Sequence, residues 1–170
     1  VIFHFGEYSR IASSFKDIDI ISESILRGTP IIVELAKKWN SLLIYSASSS
    51  SLGNNGRDSI LSPYAWMKSK MKEYIKNQHL WFNIPSPLRY QIVHFFNVYG
   101  PRQITTGKYA TVIAIFENQY KNNQNLTVVS PGNQSRNFTH IDDVIDGVIK
   151  VSEQTSNGEF YLGYYKNFEI

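Results

Sequence analysis

A chain of 170 residues is long enough for one domain with a real core. Its 42% hydrophobic and 18% charged residues are an ordinary globular balance, and a net charge of +3 with scattered lysines and arginines fits a site for an anionic ligand at least as well as a nucleic-acid surface. The absence of cysteine excludes disulfides and thiolate metal sites, and no apolar run approaches the roughly 20 residues of a membrane helix.

Val1–Phe5 is a short apolar run closed by Gly6, the pattern of a buried strand. From Asp17 to Trp39 the apolar residues fall at helical spacing, and Gly28 and Pro30 predict a bent or broken helix. Leu42–Tyr45 reads as a second strand, followed by the loop-like SASSSSLGNNGRD. Ser62 and Pro63 open a helix that runs to about Asn77, with Tyr74 as ordinary core. Tyr90–Phe96 is a third strand, with NVYGPR as the turn after it. Ala110–Tyr120 reads as a helix, Leu126–Val129 as a strand, 142 or 143 to Ser152 as a helix capped by Asp142 or Asp143, and Phe160–Leu162 as a last strand. Strands that alternate with helices and read as continuous apolar runs predict an α/β fold: a doubly wound parallel sheet with helices on both faces. The sequons at Asn125, Asn133 and Asn137 read as chance in an Asn-rich stretch, and no signal peptide opens the chain.

Four stations carry the chemistry. SASSSS at 46–51 follows a strand, where a hydroxyl reaches a ligand outside the carboxyl ends of a parallel sheet, although a plain Ser-rich turn has the same composition. Tyr64 and Lys68 stand four residues apart at a helix start, which puts phenol and ammonium on one face. A nearby cation and the positive helix end favour phenolate, so that Tyr64 could exchange a proton with a substrate hydroxyl. HFFNVYGPRQ at 94–103 is a strand ending in a polar turn, with Asn97 at its carboxyl end and Arg102 available to an anion. In GNQSRNFTHIDDV, Arg136 could grip phosphate in a forked geometry.

Taken in order, HFGEYSR, IYSASSSSLGN, SPYAWMK, FFNVYGPRQ and SRNFTHIDDV resemble the extended short-chain dehydrogenase/reductase family, and within it the UDP-glucose 4-epimerase group of nucleotide-sugar enzymes. The resemblance implies a Rossmann-like fold, with residues 1–105 as the C-terminal half of the cofactor domain and 106–170 mainly as a substrate lobe interleaved with it. It implies NAD, with NADP as the alternative, a nucleotide-sugar substrate, a homodimer, a cytoplasmic location, and neither nucleic acid nor membrane as partner. Tyr64 then acts as base and acid on the sugar 4-hydroxyl. Ser48 (Ser49 if the loop aligns one step off) bonds the same oxygen, and Lys68 lowers the Tyr64 pKa and holds the nicotinamide ribose. Phe5, Gly6, Ser46 and Phe95 join the cofactor positions. Asn97, Arg136 and Thr127, Val128 and Val129 join the substrate positions, Arg136 at the diphosphate and the three-residue run at the base. The implied reaction is epimerisation through transient oxidation at C4. The alternatives are reduction, decarboxylation or 4,6-dehydration on the same scaffold, or a non-catalytic dinucleotide-binding relative. Dehydration is disfavoured because the Ser loop lacks the Thr-Asp-Glu of the dehydratases.

The departures from the pattern set further expectations. No G-x-x-G-x-x-G occurs, and Val1 is not an initiator methionine. At roughly 30 residues per βαβ unit, about two units are expected before Val1, and this chain alone is expected to bind NAD poorly. The ending NFEI reads as premature, and the stretch between Ser48 and Tyr64 is short for the family. Glu7 stands where the family carries a small residue against the cofactor, and Ile25 where it often carries Asn.

Overall fold

The computed structural model describes residues 1–81 and 88–169. In chain order they form strand β1 (Ile2–His4), helices α1 (Ile18–Ile21) and α2 (Gly28–Lys38), strand β2 (Leu43–Ser48), helix α3 (Pro63–Trp81), strands β3 (Tyr90–Phe95) and β4 (Asn97–Tyr99), helix α4 (Val112–Lys121), strand β5 (Ser135–His140), helix α5 (Ile141–Ser152) and strands β6 (Gly158–Leu162) and β7 (Asn167–Glu169). The chain divides into two compact units, Val1–His94 with Val148–Tyr161, and Phe95–Gly147 with Leu162–Ile170. Among the described residues no helix is long and apolar enough to cross a membrane.

The first unit is built on a sheet of order β1-β2-β3-β6. β1 pairs with β2 in parallel, Ile2 opposite Leu43 and His4 opposite Tyr45. β2 and β3 are buried along five of their six residues, as strands covered on both faces must be. Thr29, Val33 and Ala36 of α2 are buried, continuing a line from Ile21 and Ile25 at steps of three and four residues. The helix is not broken at Gly28. A π-helical stretch over Ser22–Arg27 joins α1 to α2 instead. This wider turn opens the backbone ladder just ahead of Pro30, which lacks an N–H and crowds the carbonyl four residues back.

α3 begins as its sequence requires: Pro63 fills the first turn, and the Ala65 N–H donates to the Ser62 hydroxyl at 3.1 Å. Tyr64, Met67, Lys68, Met71, Ile75 and Gln78 form its buried face. With Ile21, Ile25, Val33, Leu43, Tyr45 and Ile92 the apolar members make one core, each contributing roughly 1.5–3 kcal/mol by burial. Tyr74 packs on that core from its edge.

The second unit holds a sheet of order β4-β5-β7. β4 lies parallel to β5, Asn97 opposite Phe138, and β7 runs antiparallel to β5, Arg136 opposite Phe168. Several sequence expectations fail here. Residues 97–99, expected as a turn, are the strand β4, and the chain turns at Gly100. Gly100 has φ +142°, and a Cβ there would stand 2.5 Å from the Ile141 side chain, so only glycine fits. Leu126–Val129, expected as a strand, is irregular: the Thr127 N–H and hydroxyl both pair with the Gln119 amide, and Val128 and Val129 lie exposed. α5 starts at Ile141, ahead of both expected starts, and its cap is not an aspartate. Asp142 and Asp143 sit inside its first turn, where the helix dipole favours them, and the Asp142 N–H donates to the His140 ring at 3.2 Å.

A candidate active site at the strand ends of the first unit

The carboxyl ends of β1 and β2 and the first turns of α3 converge. β2 runs on to Ser48, past its expected end at Tyr45, so Ser46 and Ser48 are strand residues whose alternation fixes where they point. The Ser46 hydroxyl donates to the His4 carbonyl at 3.1 Å and ties β2 to β1. Ser48 ends the strand and caps the short 3-10 turn Ser49–Ser51: its hydroxyl accepts the Ser50 N–H at 3.2 Å and shares a hydrogen bond with the Ser50 hydroxyl at 2.8 Å. Ser48 also stands close enough to the Tyr64 phenol to favour its ionised form.

Tyr64 is 8% exposed and lies one turn before Lys68 on the same helical face, as the spacing requires. Lys68 is buried. Its ammonium donates to the Ser46 carbonyl at 2.6 Å, lies 4.9 Å from the Tyr45 ring centre, and forms an ion pair with Glu7. Glu7 in turn accepts from the Thr29 hydroxyl, and His4 Nε2 stands 3.1 Å from its Oε1.

These contacts reverse one expectation. Burial, the largest influence, pushes the Tyr64 phenol above its ordinary pKa, and the Glu7 charge pushes the same way; the Ser48 hydrogen bond and the Arg10 cation only partly oppose it. The nearby cation that lowers Tyr64 is thus Arg10, while the Lys68 charge is neutralised by Glu7. Burial likewise pushes Lys68 down, with Glu7 holding its proton on. For Glu7, burial acts upward, but bonds from His4, Lys68 and Thr29 and the Lys68 charge outweigh it, and the carboxyl ends below its ordinary value.

Behind Ser48 lies a second polar cluster that the sequence motifs do not include. His94, fully buried on β3, places Nδ1 3.2 Å from the Ser48 carbonyl and Nε2 2.7 Å from Glu159 Oε1. Both neighbours are acceptors, so they favour the doubly protonated ring, while burial outweighs them and lowers the His94 pKa. A histidine inside the apolar run QIVHFF was the available signal. For Glu7 the signal was its departure from the family pattern. Arg10, in HFGEYSR, had none.

The remaining expected positions are spread over both units. In the first, Phe5 is 40% exposed and Gly6 has open space where a Cβ would stand. Phe95, the last residue of β3, opens the second. In the second unit, the Asn97 amide donates to the Asn137 carbonyl at 2.7 Å, Arg136 lies exposed on β5 with Nη1 on the Ser135 carbonyl at 2.9 Å, and Thr127 is held by Gln119 beside exposed Val128 and Val129. Asn137 accepts the Tyr164 N–H at 2.9 Å and donates to the Lys166 carbonyl at 3.1 Å, a tie for the chain end.

Residues 1–163 match the model of the NAD dependent epimerase/dehydratase family. A putative UDP-glucose 4-epimerase of Methanocaldococcus jannaschii is 30% identical over 154 residues, 85% of this chain and 49% of that protein. A UDP-N-acetyl-alpha-D-glucosaminuronate decarboxylase of Bacillus cytotoxicus is 28% identical over 169 residues, 94% of this chain and 52% of its own length. Among solved structures, the UDP-N-acetylglucosamine 4-epimerase of Methanobrevibacter ruminantium M1, in complex with UDP-N-acetylmuramic acid, superposes with a TM-score of 0.88 at 25% identity, over 99% of this chain and 56% of that one. The chain thus spans about half the length of the relatives it matches.

Proposed function

The chain belongs to the NAD dependent epimerase/dehydratase family, and on that premise we propose that it handles the proton in the C4 epimerisation of a nucleotide-linked sugar, a UDP-sugar first among them. The observation that carries the proposal is the meeting of Tyr64 and Lys68, four residues apart on the buried face of α3, with the end of β2, where the Lys68 ammonium lies 2.6 Å from the Ser46 carbonyl.

The strand ends fit a flat cofactor ring: Gly6 is open, Phe5 is partly exposed, and Ser46 and Lys68 stand beside them. We assign NAD to these residues and to Phe95. When bound, its nicotinamide supplies acceptance and return of the C4 hydride. The protein's own part is the oxygen at C4. As hydride leaves C4, the 4-hydroxyl gives its proton to Tyr64 in its phenolate form, with the Ser48 hydroxyl sharing that oxygen, and Tyr64, whose phenol is held above its ordinary pKa, returns the proton to the 4-keto oxygen as hydride comes back. Lys68 orients the site through its grip on the Ser46 carbonyl. In the second unit, Asn97 and Arg136 are assigned to the diphosphate and Thr127–Val129 to the base. Decarboxylation is favoured by the decarboxylase relative that matches 94% of the chain.

The test is steady-state kinetics with NAD and UDP-glucose, UDP-N-acetylglucosamine and UDP-glucuronic acid, with products separated by chromatography. Tyr64→Phe should lower kcat by roughly 10²–10⁴-fold with substrate binding kept, and Arg136→Ala should act mainly on KM. Full activity of Tyr64→Phe on every sugar that turns over removes the proposal, and release of CO2 from UDP-glucuronic acid replaces it with the decarboxylase.

A further inference from the structure

Glu7 is a buried charge held by partners from three elements. Its side chain is 1% exposed, deeper than the 4% of Lys68. A carboxylate at that depth is costly unless paired and hydrogen-bonded, and well-packed apolar residues in place of such a pair serve stability as well or better. Here three elements supply its partners: His4 from β1, Thr29 from α2 and Lys68 from α3. The Tyr45 ring of β2 lies beneath the Lys68 ammonium.

We propose that Glu7 is a positioning residue of this site: it holds the Lys68 ammonium against the Ser46 carbonyl and places a fixed negative charge near the Tyr64 phenol. The proposal rests on Tyr64 as the proton carrier. Its consequence is a matter of sign. Glu7 raises the proton affinity of Lys68, against burial, and that of Tyr64, together with burial. Arg10 opposes it at Tyr64, and His4 and Tyr45 are the other titratable groups that face the carboxylate. Removing the charge should therefore move both groups the same way, toward lower pH.

Glu7→Gln keeps the shape and removes the charge. In the purified protein with NAD and a UDP-sugar, both limbs of the kcat–pH profile should move to lower pH, and kcat at its optimum should fall by roughly 10–100-fold as Lys68 loses its place. The ultraviolet titration of the Tyr64 phenol, isolated by subtracting the matching Tyr64→Phe protein, should move the same way and needs no turnover. A phenol titration that moves in a protein that binds NAD and yet turns over no nucleotide sugar upholds Glu7 and removes the epimerase reading. A loss of kcat with profile and titration unmoved overturns the proposal, since a merely structural residue would give that result. If Glu7→Gln fails to fold, Glu7→Asp decides: with the charge retained, the profile should stay in place while kcat falls, and a profile moved to lower pH would overturn the proposal.

Discussion

Glu159→Gln perturbs the cluster that backs Ser48, and its cost follows from the geometry. On β6, Glu159 accepts from Lys72 at 2.9 Å and Lys76 at 2.6 Å, and its Oε1 lies 2.7 Å from His94 Nε2. Burial pushes its carboxyl up, but the bonds from Lys76, Lys72 and His94 prevail and lower it from 4.5 to about 2. In full, that displacement corresponds to roughly 3 kcal/mol. Lys72 and Lys76 are partly open to water, at 22% and 44% exposure, and screening reduces the figure to about 1–2 kcal/mol. A lowered carboxyl stabilises the fold above its unfolded pKa and loses that contribution as pH falls through the folded one, here between 4.5 and about 2. Trp39, Trp66 and Trp81 all lie in the first unit with Glu159, so urea unfolding followed by tryptophan fluorescence reports on the right part of the chain. The variant should be less stable by about 1–2 kcal/mol at pH 7, and the difference should shrink toward zero as pH falls from 4.5 to 2. A difference that stays constant across that window would place the loss in packing and refute the charge argument.

Lys68→Met leaves the Glu7 carboxylate buried without its cation and should cost about 3–5 kcal/mol by urea unfolding, while adding Glu7→Gln to it should restore part of the loss. Ser62→Ala removes the acceptor of the Ala65 N–H and should cost about 1 kcal/mol by the same measurement, with α3 otherwise intact.

What the sequence revealed depended on whether local chemistry and tertiary contact agreed. α3 was readable because its cap, its first-turn proline and its apolar spacing all act within a few residues. β2 was read too short because Ser46 and Ser48 look like loop residues, yet strand pairing carries them, and their hydroxyls find partners in the His4 carbonyl and the Ser50 N–H. β5 went unread for the same reason: SRNFTH is polar, and β4 and β7 on either side make it a strand. Conversely, the apolar Leu126–Val129 finds no partner strand among the described residues and stays irregular. Ser48, Tyr64 and Lys68 were singled out by their motif, whereas the contacts of Glu7 were hidden because Thr29 and Lys68 lie 22 and 61 residues away along the chain. That distance also explains the reversed sign at Tyr64, since a four-residue spacing brings Lys68 near but says nothing of the anion that neutralises it.

The most direct test of the central claim follows the hydrogen on C4. A UDP-sugar carrying deuterium at C4, turned over in ordinary water, should yield the 4-epimer with the label still at C4, because hydride leaves and returns to the same carbon while Tyr64 exchanges only the hydroxyl proton. Loss of that label to water, or a product that keeps its C4 configuration and has lost a carboxylate, would contradict it.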